Sequence, residues 1–192
     1  MVRVLILNGS PRKKGNTLFL VTELADQLKA QDNYVKILHL NDYDIKPCQS
    51  CYWCYKDYPL QCIQTDVMNG LYPHTLEADV IVFASPIYWF TYSAQLKLFV
   101  DRLLALHVKG GHSFQEKKFA SILVYGAGTP EGAGALNAIK SLEQTISYYG
   151  GENLGTIHGT GGQKLTVKEN QGMLEELSEL ALKISGINPK ID

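Results

Sequence analysis

The chain carries no excess of either charge: 18 lysines and arginines stand against 19 aspartates and glutamates, for a formal net charge of -1 and a pI of about 6.5. Without a basic surplus there is nothing to neutralise a phosphate backbone or an anionic bilayer, which argues against nucleic acid and membrane partners. Long apolar runs are missing as well. The first run, Val4 to Leu7, follows a single arginine and is stopped by Asn8-Gly9-Ser10, too short for the apolar part of a signal peptide or for a spanning helix. A cytoplasmic chain is therefore expected. Low-complexity tracts, charge blocks and internal repeats are absent, which removes linkers and solenoids from consideration. The five histidines, His39, His74, His107, His112 and His158, form no i, i+4 pair and have no Ser or Cys partner at a telling spacing, so they read as surface or capping residues. Cysteine is missing from the whole chain except one stretch.

What is present fits one core. A chain of 192 residues, 45% hydrophobic, buries one good core and is short for two, so residues 1–192 read as a single domain. Apolar runs rich in Val and Ile, at Val2 to Leu7, Tyr34 to Leu40, Val80 to Ala84 and Phe119 to Tyr125, with a weaker fifth at Leu154 to His158, alternate with helical stripes. Val21, Leu24, Ala25 and Leu28 make one stripe, Leu96, Phe99, Val100 and Leu103 another, and Met173, Leu177, Leu180 and Ile184 a third. Alternation of this kind predicts an α/β fold, a doubly wound five-stranded parallel sheet with helices on both faces. Ligands bind such sheets beyond the carboxyl ends of the strands, so the loops after the first, third and fourth strands carry the functional information.

The first of these reads Asn8-Gly-Ser-Pro-Arg-Lys-Lys-Gly-Asn-Thr17 and runs into a helix from Leu18 to Lys29. Ser10, Asn16 and Thr17 offer side-chain donors, Gly15 permits close backbone approach and Arg12 can fork onto phosphate oxygens, all at a helix N-terminus that favours an anion. The plainer alternative is a helix capped by Asn16 or Thr17 with a solvated basic turn. Elimination narrows the anion. A triphosphate loop needs G-x-x-x-x-G-K-[ST], whereas Gly9 and Gly15 are one residue further apart and Asn16 replaces the lysine. A dinucleotide turn needs G-x-G-x-x-G, and a phospho-acceptor receiver needs acidic residues after the first strand. A terminal phosphomonoester fits best.

Two further stretches, Ser85-Pro-Ile-Tyr-Trp-Phe-Thr91 and Lys97-Leu-Phe-Val-Asp-Arg102, complete a pattern. With Gly9 to Thr17, they resemble the flavodoxin-like NADPH-dependent FMN reductases, and the cysteine stretch resembles the iron-sulfur flavoprotein branch of that family. The resemblance implies a single flavodoxin-like FMN-binding domain in which Ser10, Arg12, Gly15, Asn16 and Thr17 hold the phosphate. Pro86, Ile87, Tyr88 and Trp89 would position the ring, with Phe90 more suited to cover or interface. The glycine-rich turn Gly126 to Gly134 would form a third wall, its N-H groups near Gly126 and Gly128 facing the ring or sugar; a plain strand-to-helix turn explains those glycines almost as well. Asp101 and Arg102 read as a local structural pair without chemistry. No protein catalyst is evident, which suits an enzyme whose flavin takes the hydride. The expected activity is FMN-dependent NAD(P)H oxidation with transfer to a quinone, flavin, iron or protein acceptor. The alternative is an electron carrier between redox proteins, and a homodimer or homotetramer is expected.

All four cysteines lie within 15 residues: Cys48, Cys51, Cys54 and Cys62. In a reducing compartment a structural disulfide is disfavoured. The C-x-x-C-x-x-C run, in a loop spanning about residues 47–64 with a turn at Pro59, suits a [4Fe-4S] cluster better than zinc, whose four-cysteine sites come as two separated knuckles. Reduced thiols in a loop that covers the flavin, zinc and a redox disulfide remain the other readings.

Overall fold

Each strand of the sheet alternates its side chains between two cores. In β1 (Arg3–Asn8) Leu5 and Leu7 enter one cluster while Val4 and Ile6 enter the other, as the two-residue period of a strand covered on both faces requires. The computed structural model describes residues 1–56, 62–107, 114–162 and 166–188. After β2 (Tyr34–His39) and β3 (Val80–Tyr88) come a two-residue β4 (Thr91–Tyr92), β5 (Lys118–Tyr125) and β6 (Glu152–Thr160). The sheet order is β2-β1-β3-β5-β6, all parallel, with β4 antiparallel to the end of β3. That is the flavodoxin-like order, whose switch point lies between β1 and β3. The expected five-stranded parallel sheet is present, extended by the short β4.

Helices α1 (Asn16–Lys29) and, at the end of the chain, α7 (Gln171–Ser185) cover one face; α2 (Met68–Glu77), α3 (Ala94–Arg102) and α6 (Ala135–Tyr148) cover the other, with α4 (Leu104–His107) and α5 (Pro130–Ala133) as short connectors. The three stripes legible in the sequence are the buried stripes of α1, of α3 with the residue after it, and of α7. Phe83, Phe99, Phe114 and Phe119 are fully buried on the α3 and α6 side, each such side chain contributing about 1.5–3 kcal/mol by leaving water. No described helix is long and apolar enough to cross a membrane.

Three local expectations need correction. The third strand does not end at Ala84 but continues through Pro86 to Tyr88. Beyond the Asn8–Ala84 pair β1 has turned away, so Ser85 and Pro86 pair with β5 alone before Ile87 and Tyr88 take up β4, and such an edge tolerates a proline. Asp101 and Arg102 do not pair with each other. Asp101 takes Lys97 on the same helix face, whereas Arg102, 1% exposed, forks onto Asp66. The histidines are not simply surface residues: His39 bonds Asn8, His74 meets Lys36 and His158 bonds Tyr125, all half-buried. The side chain of His107 and all of His112 and Pro59 lie outside the described residues.

Candidate active site

Because all five long strands run the same way, the chain after β1, β3, β5 and β6 emerges on one side of the sheet. The first loop is stapled there. Gly9 donates its N-H to the Ala84 carbonyl at 2.8 Å, and the Ser93 hydroxyl at the start of α3 donates to the Gly9 carbonyl at 2.7 Å. Only glycine fits this approach, since a Cβ at Gly9 would lie 2.6 Å from Ser93 Oγ and 2.9 Å from Leu96 Cβ. The loop is then shaped by Asn8, 1% exposed, whose Oδ1 accepts the Ser10 N-H at 3.0 Å and whose amide nitrogen lies 3.1 Å from His39 Nδ1. Ser10 Oγ accepts the Arg12 N-H at 3.3 Å.

Gly15, in extended backbone, precedes α1, and neither a side-chain cap nor an acidic first turn is present. Asn16 is not the cap; its Oδ1 accepts the Val167 N-H at 3.4 Å and ties α1 to the chain beyond β6. The first N-H groups of α1 therefore face outward with the positive end of the helix dipole. Arg12 is exposed and, among the described residues, has no carboxylate partner; neighbouring Lys13 pairs loosely with Asp42 at 3.6 Å.

A cavity of about 310 Å³ opens at this helix end, lined by Ser10, Arg12, Gly15, Asn16 and Thr17, by Pro86, Ile87 and Tyr88, and by Gly126. The three loops singled out in the sequence thus share one cavity, and its size falls in the range of small-ligand sites. Trp89 and Gly128 are not among its lining residues. Trp89 is 91% exposed at the tip between β3 and β4, and near Gly128 the hydroxyl of Thr129 caps α5 by accepting the Gly132 N-H at 3.1 Å. An uncapped helix end with an exposed arginine, beside a wall of proline, isoleucine and tyrosine, fits a phosphomonoester carrying a flat aromatic ring, as FMN does.

Sequence reasoning missed part of the wall: Val124, Tyr125, Gly161 and Gly162 also line the cavity. The glycine pair directly after the weakest strand was the available signal. Gly161 donates its N-H to the Tyr125 carbonyl at 2.7 Å, which holds the last loop against the third. The Tyr125 hydroxyl lies 3.2 Å from His158 Nδ1. Burial, with Glu131 adding to it, pushes the Tyr125 phenol up, so it stays protonated at neutral pH.

The cysteine loop borders a different cavity, at the C-terminal end of α3. Its base is closed by Arg102, whose Nη1 donates to Asp66 Oδ2 at 2.6 Å and to the Lys46 carbonyl at 2.8 Å while Nη2 donates to Asp66 Oδ1 at 3.0 Å. Gln64 adds a bond to the Pro47 carbonyl at 3.0 Å. Inside the loop Ser50 and Tyr52 take left-handed φ angles of 51° and 55°, which coil the chain tightly. Cys48, Cys51, Cys54 and Cys62 all border one cavity of about 300 Å³, with Tyr52, Tyr55 and Tyr148. None is in a disulfide. Burial, reinforced by the other three thiols, pushes the Cys54 thiol up. The donor set is of the kind that holds iron-sulfur clusters, but among the described residues no three His, Cys, Asp or Glu side chains are arranged to hold a metal ion.

These features have counterparts in known proteins. Two iron-sulfur flavoproteins of Archaeoglobus fulgidus are similar in sequence. One is 33% identical over 125 residues, which is 65% of this chain and 60% of that protein; the other is 31% identical over 167 residues, 85% of this chain and 73% of that protein. The chain thus spans less than two thirds of the first relative's length. An NAD(P)H:quinone oxidoreductase from Methanothermobacter marburgensis shares the fold with a TM-score of 0.72 at 15% identity, the match covering 98% of this chain and 99% of that one. The family model of the NADPH-dependent FMN reductases matches residues 2–155, and the chain belongs to that family.

Proposed function

We propose that the 310 Å³ cavity binds FMN and that the protein is an NAD(P)H-dependent oxidoreductase that passes electrons to a second acceptor. The observation that carries this reading is the convergence of an uncapped helix end, the exposed Arg12 and the apolar Pro86 to Tyr88 wall on one cavity. Bound FMN would supply a ring able to accept a hydride and release electrons singly or in pairs. The chain's own contribution is positional. Arg12, Ser10 and the first N-H groups of α1 hold the phosphate; Pro86, Ile87 and Tyr88 border the ring; Gly126, Gly161 and Gly162 close the remaining side without bulk. Asn8 and Ser93 keep the phosphate loop in place from behind. With a quinone as acceptor the reaction balances as NAD(P)H + H⁺ + quinone giving NAD(P)⁺ + hydroquinone.

The test is steady-state NADPH and NADH oxidation by the FMN-loaded protein with menadione, ferricyanide and a nitroaromatic as acceptors. Brisk turnover is expected. A protein that binds no flavin, or whose flavin is reduced by neither nicotinamide, would overturn the reading. Elution volume with light scattering on the same sample tests the homodimer or homotetramer.

A second reading is favoured by the four thiols around one cavity and by the names of the two Archaeoglobus relatives: an iron-sulfur flavoprotein that carries electrons between redox proteins. A cluster would be held by Cys48, Cys51, Cys54 and Cys62, which border that cavity. Protein made with ample iron and purified without oxygen would then carry about four irons and four acid-labile sulfides per chain, lost in Cys54→Ser while FMN stays. Background iron rejects the cluster and leaves the loop as a cover of reduced thiols.

A further inference from the structure

The turn that joins β3 to β4 consists of Trp89 and Phe90 alone, and both stand at positive φ, 47° and 67°. Two-residue hairpins with both central residues left-handed are normally built from Asn-Gly or Gly-Gly. Bulky aromatics at such angles are strained, and strain of this kind persists only where the surroundings over-determine it. Here they do. Ile87 pairs with Tyr92 and Tyr88 with Thr91; Tyr92 is 4% exposed; and Ser93, the next residue, donates its N-H to Ser85 Oγ at 2.9 Å while its own hydroxyl holds Gly9. Phe90 is anchored as well. It rests on Gly134, where a Cβ would lie 2.4 Å from Phe90 Cβ. Gly134 itself has φ 67°, so a side chain there is disfavoured twice over.

The strained turn therefore has one anchored ring and one free ring. Trp89 is 91% exposed and meets Phe90 edge to face, 6.4 Å between centroids at 72°. The two residues before it, Ile87 and Tyr88, line the flavin-sized cavity, and Tyr88 is itself 42% exposed. The indole thus stands open to solvent one residue beyond the cavity wall. Two or three aromatic side chains offer a few hundred Å² at most, short of the roughly 800 Å² per partner of a stable protein interface. They match the face of a small planar molecule.

We propose that Trp89 is the stacking platform for a planar aromatic electron acceptor at the cavity mouth, and that it sets acceptor preference; this rests on the oxidoreductase reading above. The FMN-loaded protein is compared with Trp89→Ala and Trp89→Phe. In Trp89→Ala the KM for menadione should rise about tenfold, the size of one lost aromatic contact, with kcat changed little. Trp89→Phe should restore most of the affinity, and KM for NADPH and turnover with ferricyanide, which has no flat face, should stay as in the parent. Gly134→Ala, which displaces Phe90, should raise the menadione KM in the same direction. An unchanged menadione KM in Trp89→Ala overturns the proposal, as does a change of oligomeric state on gel filtration, which would make the tip an interface. Equilibrium quenching of tryptophan fluorescence by menadione, expected in the parent and reduced in Trp89→Phe, needs no turnover. It separates failure of this inference from failure of the enzyme reading.

Discussion

The Arg102 guanidinium lies on the Asp66 carboxylate through two bonds, 2.6 and 3.0 Å long, with both side chains buried, 1% and 8% exposed. Asp66 also accepts the N-H groups of Lys46 and Met68 at 3.0 and 3.1 Å. One carboxylate thus ties the entrance and the exit of the cysteine loop to the end of α3. Tyr72, its phenol pushed up to about 12 mainly by burial, remains a donor to the Arg102 carbonyl at 3.2 Å.

Removing one partner of such a pair leaves a buried charge uncompensated. Asp66→Ala is expected to cost about 3–5 kcal/mol of folding stability, read by urea denaturation at pH 7. The pH dependence has a definite sign. Burial raises the Asp66 pKa, but the Arg102 fork and the backbone N-H groups outweigh it and hold the carboxyl below the usual range. Its contribution is therefore complete above the ordinary aspartate pKa and is lost as pH falls through the lowered value. The stability gap between the parent and Asp66→Asn should narrow on acidification; a gap that widens would refute the assignment.

The glycine at the head of the phosphate loop is required by contact. Gly9→Ala would place a methyl 2.6 Å from Ser93 Oγ and 2.9 Å from Leu96 Cβ, and should cost about 1–3 kcal/mol through overpacking. A lowered melting temperature together with reduced FMN content is expected. Parental values of both would mean that α3 shifts freely, contrary to its buried packing.

For phosphate recognition, Arg12→Ala should weaken FMN binding by about 1.5 kcal/mol, the lower end for a charge-assisted bond, because the side chain is exposed and screened. Riboflavin, which lacks the phosphate, should bind as before. Isothermal titration with both ligands decides, and equal losses would remove Arg12 from the phosphate site.

Asn8 acts from behind the loop. Asn8→Ala leaves the buried Ser10 N-H without an acceptor, a loss of about 1–3 kcal/mol. FMN affinity should fall with it although Asn8 is not among the cavity-lining residues. Unchanged affinity would show that the loop holds its shape without this bond.

Periodic burial made most of the fold legible before any coordinates. Val4 and Ile6 against Leu5 and Leu7, and the stripes of α1, α3 and α7, report which side of each element is apolar, and that is a property of local sequence. The same holds for the proposed phosphate loop, because small residues, an arginine and a helix start are adjacent in the chain. Long-range contacts had no such signature. Whether Arg102 would meet its neighbour Asp101 or the distant Asp66 depends on where α3 ends relative to the cysteine loop. Gly161 and Gly162 joined the site only because β6 lies beside β5. Trp89 stands beside Ile87 and Tyr88 in the sequence, but the hairpin turn, which reverses the chain within two residues, leaves it 91% exposed and outside the lining of the cavity those two border. Sequence by itself determined the elements, their order and the candidate anion loop, since these follow from neighbours along the chain. Tertiary structure alone decided which distant side chains share a cavity, because that depends on sheet order and on contacts between residues far apart in the chain.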